Sequence, residues 1–223
     1  IMEPMRGVYP KNDFLKKVRK LADKHKCILI FDEITSGFHD YFGGIHLKFK
    51  VIPDLAIFGK SIANGYPLST IIGKKNIMNK AQDTFISSTM WTENIGFVAG
   101  LATLKYMKKK RVHSKLKIFG KLIKNIWMRI AKENNLKIKI SGQQTMPYLA
   151  FDYPNNLEIS TFFTQEMIKN KFLAGNLVSV TSAYDTKIIK KYEKSCSVVF
   201  NKISFYLKNK KKLPLKGSIK HST

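Results

Sequence analysis

The chain has 223 residues, of which 44% are hydrophobic, so it is long enough to bury one large core or two small ones. No apolar run reaches the ~18 residues that a membrane-spanning helix requires, and two cysteines are too few for a disulfide framework. Forty basic residues against 15 acidic ones give a formal charge of +25. Such a charge makes nucleic acid and anionic surfaces partners that must be weighed.

The first half of the chain alternates predicted helices and strands. Leu15, Val18 and Ala22 recur at helical spacing, which indicates an amphipathic helix, while short apolar runs indicate strands. The predicted elements are a helix at 12–26, strands at 27–31, 55–58 and 69–73, and a helix at 93–109 with Thr92 as its N-cap. Alternation of this kind is typical of an α/β protein with a largely parallel sheet.

A basic stretch at 110–114 marks a change of character, and we place a domain boundary there. The elements predicted beyond it are helices at 115–134, 159–170 and 185–207 and strands at 136–140, 147–152 and 177–180. This division gives a first domain at 1–112 and a small α/β domain at 113–207. The basic tail at 208–223 has few apolar residues to anchor it, so we expect it to be disordered.

Polar side chains stand directly after two of the predicted strands. Strand 27–31 is followed by Asp32 and Glu33, and strand 55–58 is followed within two residues by Lys60. In an open α/β sheet, ligands bind outside the carboxyl ends of the strands. An acid and a lysine therefore share the place where such a sheet puts its site.

This pairing of Asp32 with Lys60 has two interpretations. One is a partly exposed ion pair. The other is a pyridoxal phosphate site, in which a lysine amine forms an imine with the cofactor aldehyde and a carboxylate keeps the pyridine nitrogen protonated. A free lysine amine has a pKa of about 10.4, so burial or nearby positive charge must lower that pKa before the amine serves as a nucleophile. The spacing alone leaves both interpretations open.

The sequence resembles the class III aminotransferases, and in particular their glutamate-1-semialdehyde aminomutase-like branch. The resemblance is carried by the segments 1–4, 29–38, 53–67 and 87–93, and it continues more weakly to about Ile203. It implies a fold-type I pyridoxal-phosphate-dependent transferase. The chain would then hold part of the large domain, with a mixed, mostly parallel sheet, and the small C-terminal α/β domain.

The resemblance also implies roles for individual residues. Lys60 matches the lysine that forms the imine with the cofactor, and Asp32 matches the acid that bonds the pyridine nitrogen. Ile34 matches the branched residue packed against one face of the ring. Thr89, together with Ser88, matches the hydroxyl that reaches the cofactor phosphate from the neighbouring subunit of a dimer. We therefore expect a homodimer.

Other positions shape the site or depart from the family pattern. Glu3 and Glu33 match positions that shape the site, with no chemical step assigned to them. The pair Ser88-Thr89 stands where relatives have glycine and threonine, and Ala183-Tyr184-Asp185 replaces an alanine-histidine-threonine turn. Neither departure removes a catalytic group, and the substrate stays open.

Class III enzymes are much longer than this chain, so the resemblance implies the C-terminal half of an enzyme. The expected reaction is transamination between an amino donor and a carbonyl acceptor, or amine transfer within one substrate. The rival expectation is an inactive remnant that binds pyridoxal phosphate weakly or not at all. With no secretory signal and no membrane span, the expected location is cytoplasmic.

The positive charge favours no specific nucleic-acid partner. Only four of the basic residues are arginines, the residue that reads bases and clamps phosphates with a bidentate fork. The lysines are spread over the predicted polar helix faces and segment ends, as an AT-rich coding bias would produce. A basic binding module is therefore the third and weakest of the functional hypotheses.

Overall fold

The computed structural model describes residues 1–87, 89–90 and 92–219. The chain divides into two compact units, Ile1–Ser114 and Lys115–Thr223. Among the described residues, no helix has the length and apolar character needed to cross a membrane. Nor do these residues gather three or more His, Cys, Asp or Glu side chains into a group that could hold a metal ion.

The first unit is built on a three-stranded mixed sheet. Its elements are α1 (Phe14–Lys24), β1 (Ile30–Asp32), β2 (Leu55–Phe58), β3 (Thr70–Gly73), α2 (Lys75–Met78) and α3 (Ile95–Lys110), with 3-10 helices at Ile45–Phe49, Lys60–Ile62 and Asn79–Asp83. Strand β1 runs parallel to β2, and β2 runs antiparallel to β3. The described sheet therefore fits the α/β, fold-type I architecture expected from the sequence.

Helix α1 packs on β1 through its apolar stripe. Leu15 lies in a buried cluster with Leu29, Phe31 and Val51, and Val18 packs at its margin. Leu15 and Val18 are three residues apart, so they share the helix face that meets the sheet. Burying a leucine side chain of this kind is worth about 1.5–3 kcal/mol.

A buried carboxylate ties α1 to the sheet. Asp54 accepts hydrogen bonds from the Leu29 amide at 2.7 Å and from Arg19 Nη1 at 2.8 Å, and it pairs with Lys74 Nζ at 2.7 Å. Burial opposes the charge, but these three donors outweigh it and hold the pKa of Asp54 well below its usual range. Charge as well as apolar packing therefore anchors the amino ends of β1 and β2 to α1.

Helix α3 lies close against the segment that follows Lys60. A Cβ atom on Gly96 would lie 2.8 Å from the Pro67 carbonyl oxygen, and one on Gly100 would lie 2.7 Å from Leu68 Cδ2. Only glycine at these two positions allows the helix to lie so close.

Helix α3 begins at Ile95, two residues later than expected, with Asn94 and not Thr92 at the N-cap position. The Glu93 carboxylate accepts a hydrogen bond from the Ile95 amide nitrogen at 2.9 Å, which satisfies a free donor of the first turn.

The second unit combines three helices with a β-hairpin. Its elements are α4 (Val112–Glu133), whose first three residues belong to the first unit, β4 (Ile138–Gln143), β5 (Met146–Phe151), α5 (Asn156–Lys169) and α6 (Thr186–Lys208). Strands β4 and β5 pair antiparallel from Ile138 opposite Phe151 to Gln143 opposite Met146. Two residues join them, which is the shortest common hairpin connection.

Aromatic side chains fill the core of the second unit. Phe151 of β5 lies 5.9 Å from Phe163 of α5 and 5.6 Å from Phe200 of α6, measured between ring centroids. Trp127 of α4 is fully buried, and its Nε1 donates a hydrogen bond to the Tyr192 hydroxyl at 3.0 Å. The indole therefore contributes a large apolar area without leaving its one donor unpaired.

A glycine sets the distance between α4 and the hairpin. A Cβ atom on Gly120 would lie 1.6 Å from the Gln144 carbonyl oxygen, so the helix could not approach the turn with any other residue. Lys124, one turn further along α4, donates to the Gly142 carbonyl oxygen at 3.2 Å. The hairpin and α4 are thus held by both close packing and a hydrogen bond.

Two expectations for the second unit concern segments that depend on distant partners. The expected strand at 177–180 forms one bridge, between Leu177 and Tyr148, and its Val178 and Val180 amides donate to the Pro147 and Thr145 carbonyl oxygens at 3.0 Å. The basic tail, which we expect to be disordered, is described as far as residue 219. Leu213 is 4% exposed, and the Gln165 side chain bonds to the backbone of Pro214 and Lys216. One buried leucine and two hydrogen bonds anchor a segment whose charge suggested disorder.

Candidate active site

The parallel pairing of β1 and β2 brings the predicted acid and lysine to one edge of the sheet. Asp32 is the last residue of β1 and stands opposite Ile57 of β2. Strand β2 ends at Phe58, and Lys60 opens the 3-10 helix Lys60–Ile62 that follows it. Both side chains therefore leave the carboxyl ends of neighbouring parallel strands, as the sequence predicted.

The Lys60 side chain is exposed, and its amine has a defined partner. Its Nζ donates a hydrogen bond to Thr35 Oγ1 at 2.7 Å. Lys60 has a φ of +45°, in the left-handed region that residues other than glycine rarely adopt. A conformation of this kind costs on the order of 1–3 kcal/mol and persists only where neighbouring structure imposes it.

Asp32 and Ile34 lie on the turn that faces this lysine. Asp32 is half-buried, and its Oδ1 accepts a hydrogen bond from the Ile34 amide nitrogen at 2.9 Å. This bond closes a sharp turn of the chain after β1. A Cβ atom on Gly59 would lie 3.3 Å from Ile34 Cγ2, so Ile34 packs against the residue that precedes Lys60. The structure thus brings Lys60, Asp32 and Ile34 into one region.

Between Asp32 and Ile34 a buried anion fixes the turn. Glu33 is fully buried. Its Oε1 accepts a hydrogen bond from the His46 amide nitrogen at 3.0 Å and lies 2.7 Å from His46 Nδ1. Its Oε2 accepts a hydrogen bond from Ser36 Oγ. Burial opposes ionisation, but these partners outweigh it and hold the pKa of Glu33 below its ordinary value. The carboxylate is therefore charged inside the unit and clamps the backbone that carries Asp32.

A second contact joins the same two segments beside the lysine. Ser61 Oγ and His39 Nε2 share a hydrogen bond of 2.8 Å. Burial lowers the pKa of the His39 ring; the charge of Asp40 opposes this shift, and the positive charge of Lys60 adds to it. His39 is therefore a neutral imidazole at pH 7.

The hydroxyl pair expected at the cofactor phosphate is not brought to this region by the described contacts. Thr89 is exposed in a turn before α3, and none of the described hydrogen bonds joins it to Lys60 or Asp32. Ser88 lies outside the described residues. The expectation that this pair acts from a neighbouring subunit stays a prediction.

Sequence reasoning missed three residues of the site. Thr35 bonds to the lysine and His39 bonds to Ser61 beside it, yet no role was predicted from the sequence for any of the three. Thr35 is 25 positions from Lys60, and His39 is 22 positions from Ser61. Nothing local in the sequence signals such pairings, because only the parallel register of β1 and β2 creates them.

A family comparison decides the classification. The model of the family described as aminotransferase class-III matches residues 1–185. The chain belongs to this family. It is 36% identical over 143 residues to the 3-aminobutyryl-CoA aminotransferase of Cloacimonas acidaminovorans (strain Evry), with 64% of this chain and 34% of that protein covered. It is 30% identical over 166 residues to the glutamate-1-semialdehyde 2,1-aminomutase of Methanococcoides burtonii, with 71% and 39% covered.

Solved structures share the fold of this class III chain. The FumI protein of Sphingopyxis sp. MTA144, in its pyridoxal phosphate internal aldimine form, superposes with a TM-score of 0.85 at 19% identity, covering 96% of this chain and 53% of that one. An omega-transaminase from Sphaerobacter thermophilus gives a TM-score of 0.80 at 16% identity, covering 88% and 49%. The chain thus spans about a third to a half of the length of these relatives.

Pyridoxal phosphate is the cofactor that this family implies, and the side chains present fit it. The cofactor needs an accessible primary amine for its aldehyde and a carboxylate for its pyridine nitrogen. Lys60 supplies an exposed amine that donates to the neutral hydroxyl of Thr35, and Asp32 supplies a half-buried carboxylate on the neighbouring strand. These two side chains are therefore of the types that pyridoxal phosphate chemistry uses.

Proposed function

We propose that this chain carries the lysine-bearing half of a pyridoxal-phosphate-dependent aminotransferase site. Its reaction moves an amino group from an amino donor to a carbonyl acceptor, or between two carbons of one substrate. The observation that carries the proposal is the exposed Lys60 amine, which the parallel strands place beside the turn of Asp32 and Ile34. The names of the relatives include both an aminotransferase and an aminomutase.

Each residue has a chemical task in this proposal. Bound pyridoxal phosphate would withdraw electrons from the substrate carbon that bears the amine. Lys60 Nζ, released from Thr35, would take the proton from that carbon and deliver it to the C4′ carbon of the cofactor. Asp32 would hold the proton on the pyridine nitrogen, and Ile34 would support one face of the ring. General acid–base transfer of this kind contributes about 10²–10⁴-fold to a rate.

The proposal also includes the residues that would bind the cofactor phosphate. We assign Ser88 and Thr89 to the cofactor phosphate, contributed across the interface of a homodimer. The family resemblance supports this assignment, and the exposure of Thr89 leaves its hydroxyl accessible to a second chain. Both cysteines are free thiols, which suits the reducing cytoplasm that we propose as the location.

The proposed function is tested by locating the lysine that reacts with pyridoxal phosphate. The purified chain is mixed with the cofactor, reduced with borohydride and mapped by mass spectrometry, beside Lys60→Arg as the control. We expect one dominant adduct on Lys60 that disappears in the variant. Labelling scattered over the surface lysines, equal in both proteins, would contradict the proposal and favour the inactive remnant.

The role of Asp32 needs a separate variant. Asp32→Asn keeps the side-chain size but cannot hold a protonated pyridine nitrogen by charge. We expect the Lys60 adduct to form at higher cofactor concentration, and, where the full-length enzyme is assembled, most of the turnover to be lost. Unchanged concentration dependence and unchanged turnover would remove Asp32 from the mechanism.

A further inference from the structure

The segment that carries Lys60 is tied to the turn after β1 at two points. Lys60 Nζ donates to Thr35 Oγ1 at 2.7 Å, and Ser61 Oγ shares a hydrogen bond of 2.8 Å with His39 Nε2. The four residues form two consecutive pairings between one loop and one 3-10 helix. The first pairing engages the reactive amine itself, whereas the second is adjacent and leaves the amine untouched.

The backbone of Lys60, between these pairings, is in the left-handed region, which is unfavourable for a residue with a Cβ atom. Lys60 has a φ of +45°, and the preceding Gly59 is extended. A left-handed lysine relaxes unless its neighbours hold it. Ser61 is the next residue along the chain, so the bond of its side chain to His39 restrains the backbone on the carboxyl side of Lys60.

His39 is in turn fixed to the end of β2. Its neighbour Phe38 also has a left-handed backbone, with a φ of +59°, and its amide donates to the Gly43 carbonyl oxygen at 2.8 Å. The Phe38 ring packs 5.3 Å from the ring of Phe58, the last residue of β2. A histidine held in this way is a rigid anchor for Ser61.

We propose that His39 is a positioning residue for Lys60: through Ser61 it holds the left-handed backbone that keeps the Lys60 amine at Thr35, ready for the cofactor aldehyde. This inference rests on the proposed function for the use of the amine, but the positioning itself is a property of the chain alone. His39 touches neither the amine nor, in this proposal, the substrate.

The test measures how the Lys60 amine reacts in the chain without cofactor. Trace labelling with acetic anhydride at one fixed pH gives the ratio of acetylation at Lys60 to that at Lys105, an exposed lysine of α3. The hydrogen bond that Lys60 Nζ donates to Thr35 restrains the amine and shields it from the reagent. Once the amine is released, we expect the ratio to rise about two- to tenfold in His39→Leu, as the net worth of one hydrogen bond allows. Ser61→Ala should give the same rise.

Three comparisons separate positioning from general damage. The double variant of His39→Leu with Ser61→Ala should rise no further than either single change, because both act through one bond. His39→Gln, which keeps a polar nitrogen near the Nε2 position, should restore the low ratio. His25→Gln, at an exposed histidine next to α1, should change nothing.

An unchanged ratio in Ser61→Ala, or additive effects in the double variant, would overturn the proposal. So would failure of His39→Gln to restore the ratio while His39→Leu also lowers the unfolding midpoint, since that pattern is ordinary destabilisation. Pyridoxal phosphate labelling of the same variants distinguishes the two levels of inference. Loss of selective labelling in the unaltered chain would contradict the proposed function, whereas the acetylation ratios would still decide the role of His39.

Discussion

The two units of this chain differ in how far particular helices and strands bury their apolar residues. In the second unit, α6 buries Ile189, Cys196, Val199 and Ile203 along one continuous face. In the first unit, the consecutive residues Ile71 and Ile72 of β3 are 51% and 55% exposed. Neighbouring residues of a strand point to opposite faces of a sheet, so β3 is uncovered on both sides.

The interior of the first unit also holds more acidic side chains. It buries Glu33, Asp40, His46 and Asp54 and joins them to partners, while apolar side chains of α3 such as Phe97 stay exposed. The second unit buries Glu166 as its one buried acid among the described residues. Aromatic packing therefore stabilises the second unit, whereas the unit that holds Asp32 and Lys60 depends more on hydrogen-bonded charges.

The largest expected effect tests the aromatic core. Trp127→Ala should lower the free energy of unfolding of the second unit by about 3–5 kcal/mol, because it leaves a cavity and frees the Tyr192 hydroxyl. Hydrogen exchange read by mass spectrometry assigns the loss to one unit. Met128→Ala, on the exposed side of the same helix, is the control and should cost far less. Equal losses from both changes would mean that the core is not the source of stability.

Glu33→Gln tests the polar interior of the first unit. The amide keeps the size of the side chain but loses its charge-assisted bonds to His46 and Ser36, so we expect a loss of about 1.5–3 kcal/mol in this unit. Because the turn beside Asp32 loosens, selective labelling of Lys60 by pyridoxal phosphate should fall as well. Asp83→Asn, at an exposed acid, is the matched control. A stable variant with full labelling would show that the buried anion is dispensable.

The stability of the second unit at low pH should depend on Glu166. Burial opposes its charge, but Lys169 and Lys202 outweigh this and lower its pKa from 4.5 to about 2. Because the folded-state pKa is the lower one, the stabilisation is complete above pH 4.5 and is lost as the pH falls toward 2. We expect a contribution of about 1 kcal/mol, since both lysines are half-exposed. Glu166→Gln should flatten this part of the stability curve, and an unchanged acid slope would contradict the assignment.

The smallest effect is expected on the surface of the second unit. Arg129 bonds to Glu133 and Glu193, but its side chain is 50% exposed and solvent screens the pairs. Arg129→Gln should leave the unfolding midpoint within experimental error at moderate salt. A clear loss that disappears at high salt would show that surface charge, and not only the aromatic core, stabilises this unit.

Much of the fold was predictable because periodicity is local. The stripe of α1, the strands beside Asp32 and Lys60 and the long helix α6 were each visible as patterns within one segment. The single bridge at Leu177 and the burial of Leu213 were not predictable in this way, since both depend on distant partners. The N-cap expected at Thr92 failed for a local reason, as Glu93 already satisfies the first turn.

The sequence by itself determined the family, the cofactor and the order in which an acid and a lysine follow two strands. Those properties depend on residue types at short spacing along the chain. Only the tertiary structure decided that Thr35 holds the Lys60 amine, that His39 meets Ser61 and that Glu33 is a buried anion. These contacts join residues 13 to 25 positions apart through the parallel register of β1 and β2 and the packing around it. Short-range patterns do not encode such a register, because it is set by how whole strands align and bury their side chains.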